Sequence, residues 1–177
     1  MQSTDKFKAG ATTLEVIHNT QKYIPSKYNN TLSNLQLEDL IAYADDAGDF
    51  RFDIQWSALD PKTKKSISVF VDTKNYSSAS NMFKDLGQFK AYLGAIDNFD
   101  QLYIIQQGGR GVTREQIIIQ LEQAIAKDAK SVYTTNRKVW NKLGIKSVDE
   151  LYEKCSTKKL SKSEQFQEFR NVVVITK

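Results

Sequence analysis

The sequence contains very little cysteine, histidine or proline: its 177 residues include one cysteine, one histidine and two prolines. The single Cys155 excludes an internal disulfide and any metal site built from a cluster of cysteines. The single His18 excludes a multi-histidine zinc site, and nothing near it in the sequence indicates an activated nucleophile. A metal bound by this chain would therefore be held by oxygen ligands, which favours magnesium or manganese.

The chain also lacks a long hydrophobic run, and no stretch approaches the roughly 20 residues that cross a bilayer. Its first eleven residues lack the apolar core of a signal peptide, so we expect the chain as given not to export itself. Hydrophobic residues make up 40% and charged residues 26% of the sequence, which is typical of a folded globular protein. We expect an N-terminal helical extension over residues 1–30 and a single globular unit over residues 31–177.

The charge is unevenly distributed along the chain, although the net charge is only +4. Residues 1–125 carry 13 basic and 15 acidic side chains, which gives −2, whereas residues 126–177 carry 12 basic and 6 acidic ones, which gives +6. A basic C-terminal third suits a polyanionic partner, and a solvated lysine surface explains it equally well. The residues that could line a phosphate track are Arg137, Lys138, Lys142, Lys158, Lys159 and Lys162.

The hydrophobic pattern predicts an alternation of helices and strands. Helices are expected at Thr12–Ile24, Ser33–Ala47, Ser80–Ile96, Thr113–Lys127, Arg137–Leu143 and Val148–Cys155, and strands at Phe50–Trp56, Ser66–Tyr76, Gln101–Gln106 and Val172–Thr176. The first two strands would form an antiparallel hairpin around a polar turn at residues 60–62. Strands that meander and then cross over through a helix predict an α/β fold, with a mixed central sheet flanked by helices.

Three charged residues on the two hairpin strands form a pattern with a chemical use. Asp72 and Lys74 are two residues apart and therefore share one strand face, and Asp53 lies on the polar face of the preceding strand. If these strands pair, the carboxylates of Asp53 and Asp72 approach each other, and a divalent cation between them would relieve their repulsion. Such a cation can polarise a phosphate and activate water, while Lys74 orients the water or neutralises developing charge. The alternative is a surface hairpin that carries scattered charges.

This pattern resembles the PD-(D/E)xK nuclease superfamily, in which an acidic residue on one strand precedes an acidic-x-Lys motif on the next. Asp53 matches the first acid and Asp72-Thr73-Lys74 matches the tripeptide, although Phe52 replaces the proline that often precedes the first acid. The resemblance covers roughly residues 35–127. It implies a restriction-endonuclease-like α-β-β-β-α-β core and a Mg²⁺- or Mn²⁺-dependent nuclease, with both aspartates as metal ligands and the lysine as a catalytic residue.

The resemblance extends to residues on the helices around this hairpin. Similar families often place a glutamate on the helix before the first strand, which makes Glu38 a candidate metal ligand and catalytic residue because its helix runs directly into the Asp53 strand. Glu15 is the rival, although its spacing from Thr12 also suits a helix cap. Gln88 and Tyr92, four residues apart on the next helix, are similar to the Gln-x-x-x-Tyr signature of a RecB-like branch and are expected to support the site.

By resemblance the substrate is nucleic acid, with DNA favoured and tRNA the alternative. The small size also resembles the C-terminal nuclease toxins of contact-dependent growth inhibition systems. This implies a larger exported precursor, action in the cytoplasm of a target cell and a cognate immunity protein. The alternative function is a catalytically silent module of the same fold that binds nucleic acid or a protein.

Two further features have simple structural interpretations. Gly108-Gly109-Arg110-Gly111 precedes a predicted helix, and a flexible turn is its main interpretation, with an arginine contact to the nucleic-acid backbone as the alternative. Tyr133 and Trp140 could stack on bases, but core packing is the more common role of aromatic residues beside a basic helix. Cys155 is expected to be a buried or half-buried thiol.

Overall fold

The computed structural model describes residues 53–59 and 66–175, and the strands within them form one four-stranded sheet. Strands β1 (Asp53–Leu59) and β2 (Ser66–Lys74) are antiparallel neighbours. Strand β3 (Leu102–Gln106) pairs in parallel with β2, and β4 (Val173–Ile175) pairs in parallel with β3. The predicted mixed α/β class is therefore confirmed, while the specific restriction-endonuclease-like core stays a prediction.

Helices connect and cover these strands. They are α1 (Gly87–Leu93), α2 (Arg114–Lys127), α3 (Ala129–Thr135), α4 (Arg137–Lys142), α5 (Val148–Ser156), α6 (Lys159–Lys162) and α7 (Gln167–Arg170), with 3-10 turns at Ala79–Asn81, Phe99–Gln101 and Glu164–Phe166. The start of α2 follows the predicted capping chemistry: the Gln116 N–H donates to Thr113 Oγ1 at 3.2 Å, and the Thr113 N–H donates to Gln116 Oε1 at 3.0 Å. The helices predicted near Arg137 and Val148 are also confirmed.

The single helix predicted over Ser80–Ile96 is wrong. The chain forms the 3-10 turn Ala79–Asn81 and then the short helix α1. The Asp85 carboxylate accepts the Gly87 N–H at 2.7 Å, and this local side-chain bond turns the backbone just before α1 begins. The apolar positions behind the prediction are nevertheless mostly buried, so their periodicity reports burial correctly while the helix itself is interrupted: Met82, Leu86, Phe89, Leu93 and Ile96.

One face of the sheet packs against α1 and α2 to form the main core. Phe70 of β2 and Leu102 and Ile104 of β3 join Leu93 of α1 and Leu121 of α2 in a single apolar cluster. The opposite face is also buried at Val71, Tyr103 and Ile105. The central strands therefore have covered faces, and any charged residue on them lies in a low-dielectric environment.

An aromatic group extends this core toward the C-terminal helices. The Trp140 ring lies 5.1 Å from that of Phe99 and 5.8 Å from that of Phe169, and its Nε1–H donates to the Val132 carbonyl at 3.2 Å. Tyr133 is also buried. Their interpretation as core residues is therefore confirmed, and base stacking is wrong because neither ring is presented to solvent.

Several predictions lie outside the described residues: the helices Thr12–Ile24 and Ser33–Ala47, the turn at residues 60–62, and the boundary between residues 1–30 and 31–177. Within the part of the chain that the structure describes, no helix is both long and apolar enough to span a membrane.

Candidate active site

The strand register brings the two predicted acidic positions together. Asp53 is the Cα partner of Asp72 across the antiparallel β1–β2 pair. Residues directly opposite each other in an antiparallel pair lie on the same face of the sheet, with Cβ atoms typically about 5 Å apart. Asp53 and Asp72 are 19 residues apart in sequence, and the hairpin makes them direct neighbours across the two strands.

Asp72 and Lys74 form a buried ion pair rather than scattered surface charges. Lys74 Nζ lies 3.1 Å from Asp72 Oδ2, and the two residues are only 7% and 4% exposed. The surface-hairpin alternative is therefore wrong for these two side chains. Removing two charges from water is costly, and close pairing offsets much of that cost. Such an arrangement places a fixed positive charge beside a carboxylate at the carboxyl end of a central strand.

Helix α1 covers the strand face that carries this pair. Lys74 Nζ donates to Gln88 Oε1 at 3.4 Å. The Tyr92 ring stacks on the Phe70 ring, with the ring centroids 5.1 Å apart and an interplanar angle of 26°. Phe70, Asp72 and Lys74 alternate along β2, so they share one face. The two helix positions predicted to support the site, Gln88 and Tyr92, therefore contact two different points of the strand face that carries Asp72.

Gln106 is a further part of this site that the sequence did not single out. It is the register partner of Lys74 on β3 and is fully buried. Its Oε1 accepts the Tyr76 N–H at 3.2 Å, and its Nε2 donates to the Tyr76 carbonyl at 2.7 Å. These bonds replace strand pairing just after Lys74, which explains why β2 ends there rather than at Tyr76. The available sequence signal was a polar residue at the end of an apolar strand.

The strand register suits a hard divalent cation. Asp53 and Asp72 occupy facing backbone positions, and magnesium typically takes one or two carboxylates and keeps several waters. Among the described residues, no group of three or more His, Cys, Asp or Glu side chains could hold a metal ion. The candidate third acids, Glu38 and Glu15, both lie outside the described residues.

The basic residues predicted to form a phosphate track do not gather at this site. Lys142 donates through Nζ to the Asp97 carbonyl at 2.7 Å and to Asn98 Oδ1 at 2.9 Å, in the segment that leads into β3. Because Lys74 lies at the carboxyl end of parallel strand β2, Lys142 is at the opposite edge of the sheet. Lys159 Nζ lies 3.8 Å from Glu153 Oε1. The structure therefore gives two of these lysines partners within the protein.

Cys155 and Glu122 form a separate buried group, away from the Asp72 strand face. Burial first, and the charge of Glu122 second, raise the pKa of the Cys155 thiol to about 12, so it stays protonated at neutral pH. The Glu122 carboxylate accepts the Ser161 N–H at 2.8 Å and the Ser161 hydroxyl at 2.9 Å. The expected buried thiol is confirmed, and its protonation argues against a role as nucleophile.

No family model, curated protein or solved structure matched the chain in the three comparisons with known proteins.

Proposed function

We propose that this protein is a magnesium- or manganese-dependent nuclease that hydrolyses phosphodiester bonds of nucleic acid. The observation that carries the proposal is the pairing of Asp53 opposite Asp72, with Lys74 held 3.1 Å from the Asp72 carboxylate. Two acids and a lysine on one sheet face suit hydrolytic phosphoryl transfer, because the acids can hold a metal ion and the lysine can neutralise developing charge. The same three residues carry the resemblance to the PD-(D/E)xK superfamily.

In this proposal Asp53 and Asp72 hold the divalent cation, with Glu38 as a further ligand from the preceding helix. When bound, the cation supplies Lewis-acid polarisation of the phosphate and lowers the pKa of a coordinated water. The contribution of the protein is to fix two carboxylates on a rigid pair of strands. Burial of Asp72 strengthens the interaction of its carboxylate with a cation because the local dielectric constant is low.

Lys74 acts on the reacting phosphate or on the attacking water. An ammonium group has three N–H donors, and the described contacts use two of them, on Asp72 and Gln88. The third donor can be directed to a phosphate oxygen or to water, where it neutralises charge that develops in the transition state. Gln88 and the stacked Tyr92 hold α1 against this face and so restrict where the ammonium group lies.

DNA is the favoured substrate and tRNA the alternative. The same proposal includes a biological setting in which the chain is the toxin domain of a contact-dependent growth inhibition protein. It would then be delivered by a larger exported protein into the cytoplasm of a target cell and be neutralised by a cognate immunity protein. The supporting feature is the resemblance of Asp53, Asp72 and Lys74 to the nuclease motif.

A catalytically silent nucleic-acid- or protein-binding module is the second candidate. It would use the same fold and the basic C-terminal third, and the buried Asp72–Lys74 pair would be purely structural. Buried ion pairs can be retained for conformational specificity, so burial alone does not distinguish the two candidates.

Incubation of the full chain with plasmid DNA and with total tRNA, in Mg²⁺ and in EDTA, separates these candidates. We expect cleavage of at least one substrate in Mg²⁺, its loss in EDTA, and its loss in Asp72→Ala. If neither substrate is cleaved and the wild type behaves as Asp72→Ala does, the nuclease proposal is wrong. The substrate that is cleaved also decides between DNA and RNA.

A further inference from the structure

Arg110 lies in the glycine-rich turn between β3 and α2, at the sheet edge where the candidate site is located. Strands β2 and β3 are parallel, so the residues that follow Lys74 and the residues that follow Gln106 emerge at the same edge. Arg110 Nε donates to Asn75 Oδ1 at 2.7 Å. Asn75 directly follows Lys74, and consecutive Cα atoms are about 3.8 Å apart. The guanidinium group is thus fixed next to the end of β2.

The rest of the Arg110 guanidinium group is available to a ligand. The side chain is exposed, and within the described part of the chain neither its two terminal amino groups nor its charge has another partner. Arg114 differs, because its Nε donates to the Val173 carbonyl at 2.9 Å and its Nη2 to the Arg170 carbonyl at 2.6 Å. Arg114 is half-buried and uses two of its nitrogen atoms within the fold, whereas Arg110 is exposed and uses only Nε.

The backbone of this turn gives a large ligand room to approach. Gly109 and Gly111, on either side of Arg110, have φ angles of +79° and +76°, a conformation that other residues rarely adopt. A Cβ atom on either glycine would meet nothing within 4 Å, so the glycines are required by the turn and not by crowding. The two glycines therefore set the backbone path of the turn, and no atom packs against it at either glycine.

We propose that Arg110 binds a backbone phosphate of the nucleic acid adjacent to the phosphate at Asp72 and Lys74. Arginine presents a planar fork of donors that matches two phosphate oxygens, and the bond from Nε to Asn75 fixes the plane of that fork. The proposal rests on nucleic acid being the ligand of the candidate site. It makes Arg110 a positioning contact that sets the register of the strand over the site, since phosphate contacts position a nucleic acid without reading its sequence.

Binding in EDTA tests this proposal without requiring cleavage. The full chain, Arg110→Ala and Arg110→Lys are titrated into a fluorescein-labelled DNA duplex and a labelled tRNA at several salt concentrations. Arg137→Ala is titrated in parallel to measure the basic C-terminal third, because Arg137 is also exposed but begins α4, next to the segment leading into β3 at the opposite sheet edge. Circular dichroism confirms that each variant is folded.

We expect Arg110→Ala to bind roughly tenfold more weakly at about 0.1 M salt and to lose about 0.7–0.9 from the slope of log affinity against log salt concentration. Arg110→Lys should recover the wild-type salt slope but not the full affinity, because the lysine ammonium group cannot donate to two phosphate oxygens in the planar geometry of a guanidinium group. The proposal is overturned if Arg110→Ala keeps the wild-type slope, or if the wild type binds neither nucleic acid. A slope reduced in Arg137→Ala but not in Arg110→Ala would assign the phosphate contact to the basic C-terminal third.

Cleavage in Mg²⁺, measured in parallel, separates this proposal from the nuclease proposal. Cleavage by the wild type together with an unchanged salt slope in Arg110→Ala would leave the nuclease function standing and remove the role of Arg110. Arg110-dependent binding without cleavage would leave the phosphate contact standing and favour the catalytically silent module.

Discussion

Asp53 on β1 and Asp72 on β2 are direct partners across an antiparallel strand pair, at the point where Asp72 is also paired with Lys74. Two acidic residues at facing positions destabilise a strand pair unless a positive charge lies close to both. Lys74 supplies a positive charge close to Asp72, and a divalent cation would supply a second charge. We therefore expect the lysine and the cation to share the stabilisation of this face of the sheet.

Divalent cations should stabilise the folded protein through Asp53 and Asp72. When a ligand binds only the native state and its free concentration is 100 times its dissociation constant, it adds about 2.7 kcal/mol to the free energy of unfolding. We expect Mg²⁺ and Mn²⁺ to raise the melting temperature of the wild type and of Asp149→Asn, an exposed control on α5. Asp72→Asn should lose this shift. An equal rise in Asp72→Asn would place the cation elsewhere on the protein.

Removing Lys74 should destabilise the protein and increase its dependence on the cation. Loss of one partner from a buried ion pair typically costs about 3–5 kcal/mol, so Lys74→Met should lower the free energy of unfolding by about that amount in EDTA. Mg²⁺ should restore more stability to Lys74→Met than it adds to the wild type, because the ammonium group of Lys74 no longer competes with the cation for the Asp72 carboxylate. Urea unfolding with and without Mg²⁺ measures both effects.

The exposed pair Lys90–Asp128 is the control for this experiment. Its Nζ–Oδ2 distance is 2.9 Å, similar to that of the buried pair, but the side chains are 29% and 43% exposed. Lys90→Met should therefore cost less than about 1 kcal/mol, with no dependence on Mg²⁺. Equal losses in Lys74→Met and Lys90→Met would mean that the buried pair contributes no more than a surface contact.

The buried Glu122 should make stability depend on pH in a direction opposite to that of an ordinary carboxylate. Burial raises its pKa above the usual value of 4.5, although the bonds from Ser161 act against this. A raised folded pKa stabilises the protein below the unfolded pKa, and this contribution is lost as the pH rises through the folded pKa. The neutral Glu122→Gln lacks this titration and can still accept a hydrogen bond from Ser161.

Thermal melts of the wild type and Glu122→Gln across the range from pH 4 to pH 8 measure this effect. The melting temperature of the wild type relative to Glu122→Gln should fall as the pH rises above about 4.5. A difference that grows in favour of the wild type with rising pH would show that the Ser161 hydrogen bonds outweigh the cost of burial.

The sequence predicted the sheet strands and the α2 cap well because these features depend on local chemistry. The alternation in β2 and the Thr113–Gln116 cap depend on residues a few positions apart, and both appear in the structure at the expected places. The helix over Ser80–Ile96 failed because apolar periodicity reports which positions are buried. The chain leaves the helical path after the 3-10 turn Ala79–Asn81, and the Gly87 N–H donates to the Asp85 carboxylate just before α1 begins.

The candidate site could be predicted only where its geometry follows from strand alternation. Asp72 and Lys74 share a face for that reason, and the hairpin prediction brought Asp53 to them. Gln106 could not be found in this way, because its role depends on a parallel pairing with β2 across a long sequence separation and on bonds to the Tyr76 backbone. The position of Lys142 away from the site could not be predicted either, because it depends on contacts with Asp97 and Asn98, which are distant in sequence.

Nucleic-acid cleavage by variants at the two facing positions decides whether Asp53 and Asp72 act together as metal ligands. Asp53→Asn, Asp72→Asn and the exposed control Asp149→Asn keep the side-chain shape and remove one charge each. With plasmid DNA and total tRNA in Mg²⁺, we predict that Asp53→Asn and Asp72→Asn each lose about 100-fold or more in rate, whereas Asp149→Asn retains the wild-type rate. Metal-dependent cleavage that survives in both Asp53→Asn and Asp72→Asn would show that these two carboxylates are not the metal ligands.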